Sequence, residues 1–156
     1  MAVQKNRRSE ESRKMTEAVR ARIQSSQATK SLGFHVVSVA PGFAVFEMKV
    51  GPRHLQVHGV VHGGILATLA DTVAAIAAYS TVPRGSEIAT IEMKINFLEA
   101  VSEGVLRAEG RVLRTGRNFV VTECEIRQSG LLIAKALLTF GMVSDRVSAS
   151  LKERKP

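Results

Sequence analysis

The chain has 156 residues, of which 45% are hydrophobic and 4% aromatic, and this is typical of one soluble domain with a proper core. Its single cysteine, Cys124, excludes an internal disulfide, and no apolar signal segment opens the sequence, so we expect a cytoplasmic protein. The net charge of +8 lies mainly at the two ends of the chain, because residues 31–143 carry ten basic and nine acidic groups. No aromatic residues alternate with the terminal arginines, so nucleic acid is not an expected partner.

The first part of the chain is predicted to be helical. Met15, Val19 and Ile23 recur at spacings typical of a helix, with a thin apolar stripe that we expect to dock on the domain or on a partner subunit. The chain is thus divided into three parts: a basic helical extension over 1–30, the main domain over 31–143 and a flexible basic tail over 144–156.

From Phe34 onward the pattern changes to that of β-strands. Strand-like runs over 35–39 and 43–50 flank a turn at Ala40-Pro41-Gly42, which predicts a hairpin. Residues 88–98 alternate, which places Ile91 on the apolar face and Thr90 on the polar face. Glycines then separate three more runs, joined by short loops as antiparallel neighbours: 105–114, 117–128 and 131–143.

Between the second and third strands lies an apolar segment with one charge. From His62 to Val82 the only ionised side chain is Asp71, and the segment opens His62-Gly63-Gly64. A membrane span is disfavoured, because a central aspartate costs about 2.5–3.5 kcal/mol on insertion. We predict instead a helix over about 63–80, wrapped by the sheet and apolar almost all round. A buried charge is costly unless it is paired, neutralised or used, so Asp71 is the candidate for chemistry.

These elements predict an α+β fold in which a curved antiparallel sheet of five or six strands wraps a long central helix, with an extra helix at the N-terminus. This arrangement resembles the hotdog fold, and within it the acyl-CoA thioesterases of the phenylacetate-degradation (PaaI-like) type. The resemblance covers about residues 32–142 and is carried by three segments: Gly59–Asp71, Ile91–Leu98 and the turn Thr115-Gly116-Arg117. It implies hydrolysis of acyl-CoA, no cofactor beyond the substrate, no metal, and homodimers that pair into dimers of dimers.

The resemblance also implies roles for individual residues. In such thioesterases the helix acid is the nucleophile or the general base, a role that falls here on Asp71. The backbone N–H of Gly63 matches the group that polarises the thioester carbonyl, and His62 matches a residue that supports it. Gln56 stands where the family often has asparagine, and Thr90 matches a hydroxyl residue that recurs at the site.

Part of this assignment has a physical basis. A helix N-terminus offers unpaired N–H groups, and glycine lets a substrate approach them closely, so Gly63 and Gly64 form a candidate oxyanion hole. The competing interpretation is that the two glycines only allow tight packing of the helix on the sheet. On a regular helix Gly63 and Asp71 lie about 12 Å apart along the axis, too far to serve one carbon atom. We therefore predict an obligate symmetric dimer in which Gly63 of one chain meets Asp71 of the other.

Coenzyme A carries phosphates, so cations are expected at the mouth of the site. The tight turn after the fourth strand is the candidate CoA-binding segment, with Gly116 between the two candidate cations, Arg114 and Arg117. Arg107 and Arg111 are less direct candidates.

Several alternatives stay open from the sequence. Asp71 could pair with an arginine or cap a backbone group, His62 could be structural, and Thr90 could be a plain surface residue. His54, His58 and His62 have too few accompanying ligands to predict zinc. For the whole protein, the alternative to an enzyme is a non-catalytic acyl-CoA sensor.

Overall fold

The predicted fold class is confirmed by the computed structural model, which describes residues 2–83 and 86–143. The predicted tail over 144–156 and the centre of the turn at 84–85 lie outside the described residues. The helices are α1 (Ala2–Ser25), α2 (Gln27–Ser31) and α3 (Gly63–Tyr79), with a 3₁₀ turn at Pro52–His54. The strands are β1 (Phe34–Ala40), β2 (Phe43–Lys49), β3 (Glu87–Phe97), β4 (Val105–Thr115), β5 (Phe119–Gln128) and β6 (Leu131–Val143).

All six strands form one antiparallel sheet in the order β1-β2-β4-β5-β6-β3, and α3 packs on its inner face. The packing is tight at β4, because a Cβ atom on Gly110 would lie 2.9 Å from the carbonyl oxygen of Val73 in α3. Within the described residues, no helix combines the length and the apolar character that a membrane span needs.

The prediction that α3 is apolar and wrapped almost all round is wrong along one stripe of the helix. Gly64 and Thr68 are exposed, and Asp71 and Thr72 are only half-buried. The two threonine hydroxyls donate to carbonyl oxygens one turn earlier, those of Gly64 and Thr68, at 2.8 Å each. The sheet therefore covers one side of the helix and leaves a stripe of small and polar residues uncovered in the single subunit.

The two edges of the sheet differ. Along β1, the Thr16 hydroxyl of α1 accepts the Val39 N–H at 2.9 Å, and Arg20 donates to the Val36 carbonyl at 3.1 Å. Helix α1 therefore docks on the domain and occupies polar groups of this edge strand. The other edge strand, β3, pairs only with β6 among the described residues, and its outer side is open.

The predicted alternation along β3 is wrong in its first half, because the strand contains a bulge between Thr90 and Glu92. Thr90 pairs with Phe140, a core residue, and therefore faces α3. Ile91 lies on the outer face, where it is 68% exposed and its side chain covers Gly141. One extra residue in a strand shifts the face of every residue before it, and a regular period of two cannot reveal that shift.

Candidate active site

The start of α3 presents one free backbone donor. His62 is the N-cap, and its Nδ1 accepts the N–H of Gly64 at 2.8 Å, while its carbonyl accepts that of Ile65 at 2.9 Å. The N–H of Gly63 has no acceptor among the described residues. At the positive end of the helix dipole, this group is free to bind a developing negative charge. Gly64, by contrast, has its N–H occupied by His62.

Gly63 opens onto a cleft of about 320 Å³ between the loop that precedes α3 and the segment that follows β3. Most of the cleft wall is apolar, and Gln56 and Glu99 supply its polar side chains. The ring of Phe97 lies across the helix start, since a Cβ atom on Gly63 would be 3.2 Å from its Cζ. The absence of a side chain at Gly63 therefore keeps its N–H accessible beside the aromatic wall.

Asp71 lies two turns further along α3 and does not line this cleft. Its Oδ1 accepts a hydrogen bond from the Thr90 hydroxyl at 2.8 Å. None of the ion pairs among the described residues includes this carboxylate, which is half-buried. The carboxylate is thus held by one neutral donor and keeps lone pairs free to attack or to accept a proton.

The turn between β4 and β5 lies at the other end of α3. The Gly116 N–H donates to the Phe119 carbonyl at 2.8 Å, and the Thr115 hydroxyl donates to that of Thr81, just beyond α3, at 3.0 Å. Arg114 and Arg117 are exposed around this turn and do not reach the cleft at Gly63. Within one subunit the structure therefore brings Gln56 together with Gly63, and Thr90 together with Asp71, but leaves the predicted arginines apart from both groups.

The two further arginine candidates have partners of their own. Arg107 donates to Glu109 at 2.9 Å and to Glu47 at 3.2 Å, and the hydrogen bond to Glu109 is the main cause of its raised pKa. Arg111 lies over the ring of Phe43, 5.7 Å from its centroid. Both side chains therefore belong to contacts on the outer face of the sheet.

Two residues near the site were missed by sequence reasoning. Phe97 lies within the predicted strand over 88–98, and no local pattern marks it as the wall beside Gly63. His54 was considered only as a weak metal ligand, but it is buried, 1% exposed, and its ring bonds backbone groups. No group of three or more His, Cys, Asp or Glu side chains that could hold a metal ion occurs in the described part of the chain.

Comparisons with known proteins point to one family and fold. A family model described as "Thioesterase superfamily" matches residues 58–134, which include Gly63, Asp71 and Thr90. Human acyl-coenzyme A thioesterase 13 is 30% identical over 125 residues, covering 78% of this chain and 89% of that protein. A protein of Saccharolobus solfataricus provisionally named as an esterase is 35% identical over 126 residues, covering 80% of this chain and 89% of that protein. Among solved structures, the E. coli PaaI protein from the phenylacetic acid degradation operon matches with a TM-score of 0.77 and 30% sequence identity. The match covers 85% of this chain and 96% of that chain.

Proposed function

The chain belongs to the thioesterase superfamily, and on that premise we propose that it hydrolyses acyl-CoA thioesters at a site shared between two subunits. The resemblance to PaaI-like thioesterases seen in the sequence is confirmed by the family match and by the structural likeness to PaaI. The observation that carries the proposed mechanism is that Gly63, whose N–H has no acceptor among the described residues, lines an open cleft at the start of α3.

In the proposed reaction the thioester carbonyl lies in the cleft with its oxygen at the Gly63 N–H. Asp71 either attacks the carbonyl carbon or removes a proton from a water molecule that attacks it. Negative charge develops on the carbonyl oxygen and is stabilised by the N–H and by the helix dipole. The C–S bond then breaks, and the CoA thiolate leaves and takes up a proton. If water was the attacking group, it has supplied the oxygen of the free acid; if Asp71 attacked, water then hydrolyses the acyl–Asp71 anhydride, which releases the acid and restores the carboxylate. No cofactor is needed beyond the CoA that belongs to the substrate.

A single subunit cannot perform this reaction, because its two groups lie at different ends of β3. Gly63 packs against Phe97, the last residue of β3, whereas Asp71 is bonded to Thr90 near its start. Thr90 and Phe97 face Phe140 and Ala134, six residues apart on β6, so these two contacts lie roughly 20 Å apart along the sheet. Along α3 itself Gly63 and Asp71 are about 12 Å apart, which is still too far to serve one carbon atom.

Antiparallel pairing of two β3 strands brings the groups together. A two-fold axis near Lys94 would place the bulge of the partner's strand opposite Phe97, with inward-facing residues matched on both strands. Asp71 of the partner subunit would then face Gly63, and the same pairing would form a second, equivalent site. The open outer side of β3 supports this arrangement, since it leaves the required backbone groups available.

The mostly apolar cleft suits acyl groups without a charge, either aryl or of medium chain length. The test is thiol release from a panel containing phenylacetyl-, hydroxyphenylacetyl- and octanoyl-CoA, with Asp71→Asn as the matched control. We expect hydrolysis of at least one substrate by the wild type and a loss of about 10²-fold or more in the variant. Binding of acyl-CoA without turnover by either protein would favour the sensor alternative, and equal turnover by both proteins would contradict the proposed role of Asp71.

The shared site also requires a stable dimer. The mass in solution, measured by light scattering in the buffer and at the protein concentration of the activity assay, is expected to be at least twice that of the 16.9 kDa chain. A stable monomer with full activity would contradict the shared-site proposal.

A further inference from the structure

His54 is a buried ionisable side chain that the proposed reaction does not use. It is 1% exposed and ends the 3₁₀ turn that leads toward α3. Its Nδ1 accepts the N–H of Gly51 at 2.9 Å, so the ring hydrogen lies on Nε2, which donates to the Leu32 carbonyl at 3.0 Å. Because Nε2 carries this hydrogen, it cannot also accept a hydrogen bond from Arg53 Nε, which lies 3.2 Å away. Both ring nitrogens are therefore committed to the backbone.

The backbone of His54 extends this connection to the helix start. Its carbonyl accepts the N–H of His62 at 2.8 Å, and its own N–H donates to the Gly51 carbonyl at 2.9 Å. The intervening loop is closed by the Gln56 N–H, which donates to the Val60 carbonyl at 2.8 Å. One residue thus links the beginning of the loop, the segment that carries Gln56, and the N-cap of α3.

We infer that His54 is a positioning residue for the oxyanion donor at Gly63, and this inference rests on the proposed function. The ring bond to Gly51 fixes the 3₁₀ turn, and the turn fixes the carbonyl that holds His62. His62 in turn occupies the Gly64 N–H and leaves that of Gly63 free. A displacement of about 1 Å at such a donor can cost on the order of 10²-fold in rate, so a side chain outside the cleft controls turnover.

Two amide substitutions separate the two ring bonds. His54→Asn keeps an acceptor near the position of Nδ1 and loses the contact with Leu32, whereas His54→Gln reaches toward Leu32 and loses the acceptor for Gly51. We expect His54→Gln to lower kcat about 10-fold to 10²-fold with KM changed less than about threefold. His54→Asn should keep kcat within about threefold of the wild type, even if its melting temperature falls.

Native-state amide hydrogen exchange gives a readout that does not depend on activity. The N–H groups of His62 and Gly64 should exchange faster in His54→Gln than in His54→Asn or the wild type. If the wild type hydrolyses no acyl-CoA, the proposed function fails, while this exchange pattern still tests the positioning role.

Three outcomes would overturn the inference. The first is a kcat that is unchanged in His54→Gln, and the second is an equal loss in both variants that follows their stability. The third can be observed without a variant: nitrogen NMR of the wild-type imidazole should show an unprotonated Nδ1, and a protonated Nδ1 would remove the bond to Gly51 on which the inference depends.

Discussion

Mixing two inactive variants tests the shared site most directly. Gly63→Pro removes the proposed oxyanion donor, since proline lacks an N–H but is favoured at the first position of a helix. The preceding residue, His62, has φ −64° and ψ 132°, an extended conformation that suits a residue before proline. Asp71→Asn removes the acid on the other half of the site. Each variant alone should lose about 10²-fold to 10³-fold in kcat.

The expected recovery follows from the symmetry of the dimer. Random exchange of equal amounts makes half of the dimers mixed, and each mixed dimer has one intact site and one doubly defective site. The mixture should therefore regain about a quarter of the wild-type rate per subunit. If both groups of each site came from the same chain, mixing would restore nothing.

The assay is thiol release before and after the two variants are unfolded together and refolded. If they are instead co-expressed with different tags and purified through both, every dimer is mixed and the expected rate is about half of the wild-type rate. Gly63→Ala is the matched control, because it places a Cβ against Phe97 at the same point but keeps the N–H. It should stay within about tenfold of the wild type when tested alone. Activity of the mixture that stays at the level of the separate variants would refute the pairing of Gly63 with Asp71 of the partner subunit.

Three further predictions concern single side chains. Thr90→Val removes the hydroxyl that donates to the Asp71 carboxylate, the proposed nucleophile or base, and should lower kcat about tenfold or more, whereas Thr90→Ser, which keeps the donor, should not. Gly110→Ala would press a Cβ to 2.9 Å from the Val73 carbonyl of α3 and should destabilise the fold by about 1–3 kcal/mol, measured by urea titration. Gly51→Ala is the neutral control, because a Cβ added there would have no atom within 4 Å other than those of its chain neighbours. Burial, followed by the nearby carboxylates, raises the pKa of the Cys124 thiol from 9.0 to about 12. The folded state holds this proton longer than the unfolded state, so the stability of the wild type relative to Cys124→Ala is fully present below pH 9 and should fall by about 1.4 kcal/mol per pH unit as the pH rises toward 12. A flat difference between the two proteins over that range would contradict the burial of the thiol.

The order of helices and strands could be predicted because each element has a clear local signature. The hairpin turn at Pro41-Gly42 and the glycines at 104, 116 and 130 divide the strands, and the apolar run after His62 defines α3. The bulge in β3 could not be predicted in this way, since the alternation of residues 88–98 fits a regular strand equally well. It arises where the Ile91 side chain lies over Gly141, a residue fifty positions later in the chain.

The candidate site shows the same division between local and distant causes. The motif from His62 to Asp71 marks a helix start and a lone acid, and both are local in sequence. Which glycine offers a free N–H depends on the His62 ring, which turns back onto Gly64. The cleft beside it depends on Phe97, brought there by the path of the whole sheet.

The difference between the two edges of the sheet explains why the proposed dimer forms through β3. Another strand could join β1 only by displacing α1, because Thr16 and Arg20 already bond its backbone at Val39 and Val36. At β3 the described residues leave the stretch around Lys94 open, and only the Tyr79 hydroxyl bonds the strand backbone, at Ile88 near its start. Pairing through β3 also brings together two incomplete half-sites that one straight helix holds about 12 Å apart. The same strand edge that would be a liability for aggregation in a monomer is thus the element that the proposed active site requires.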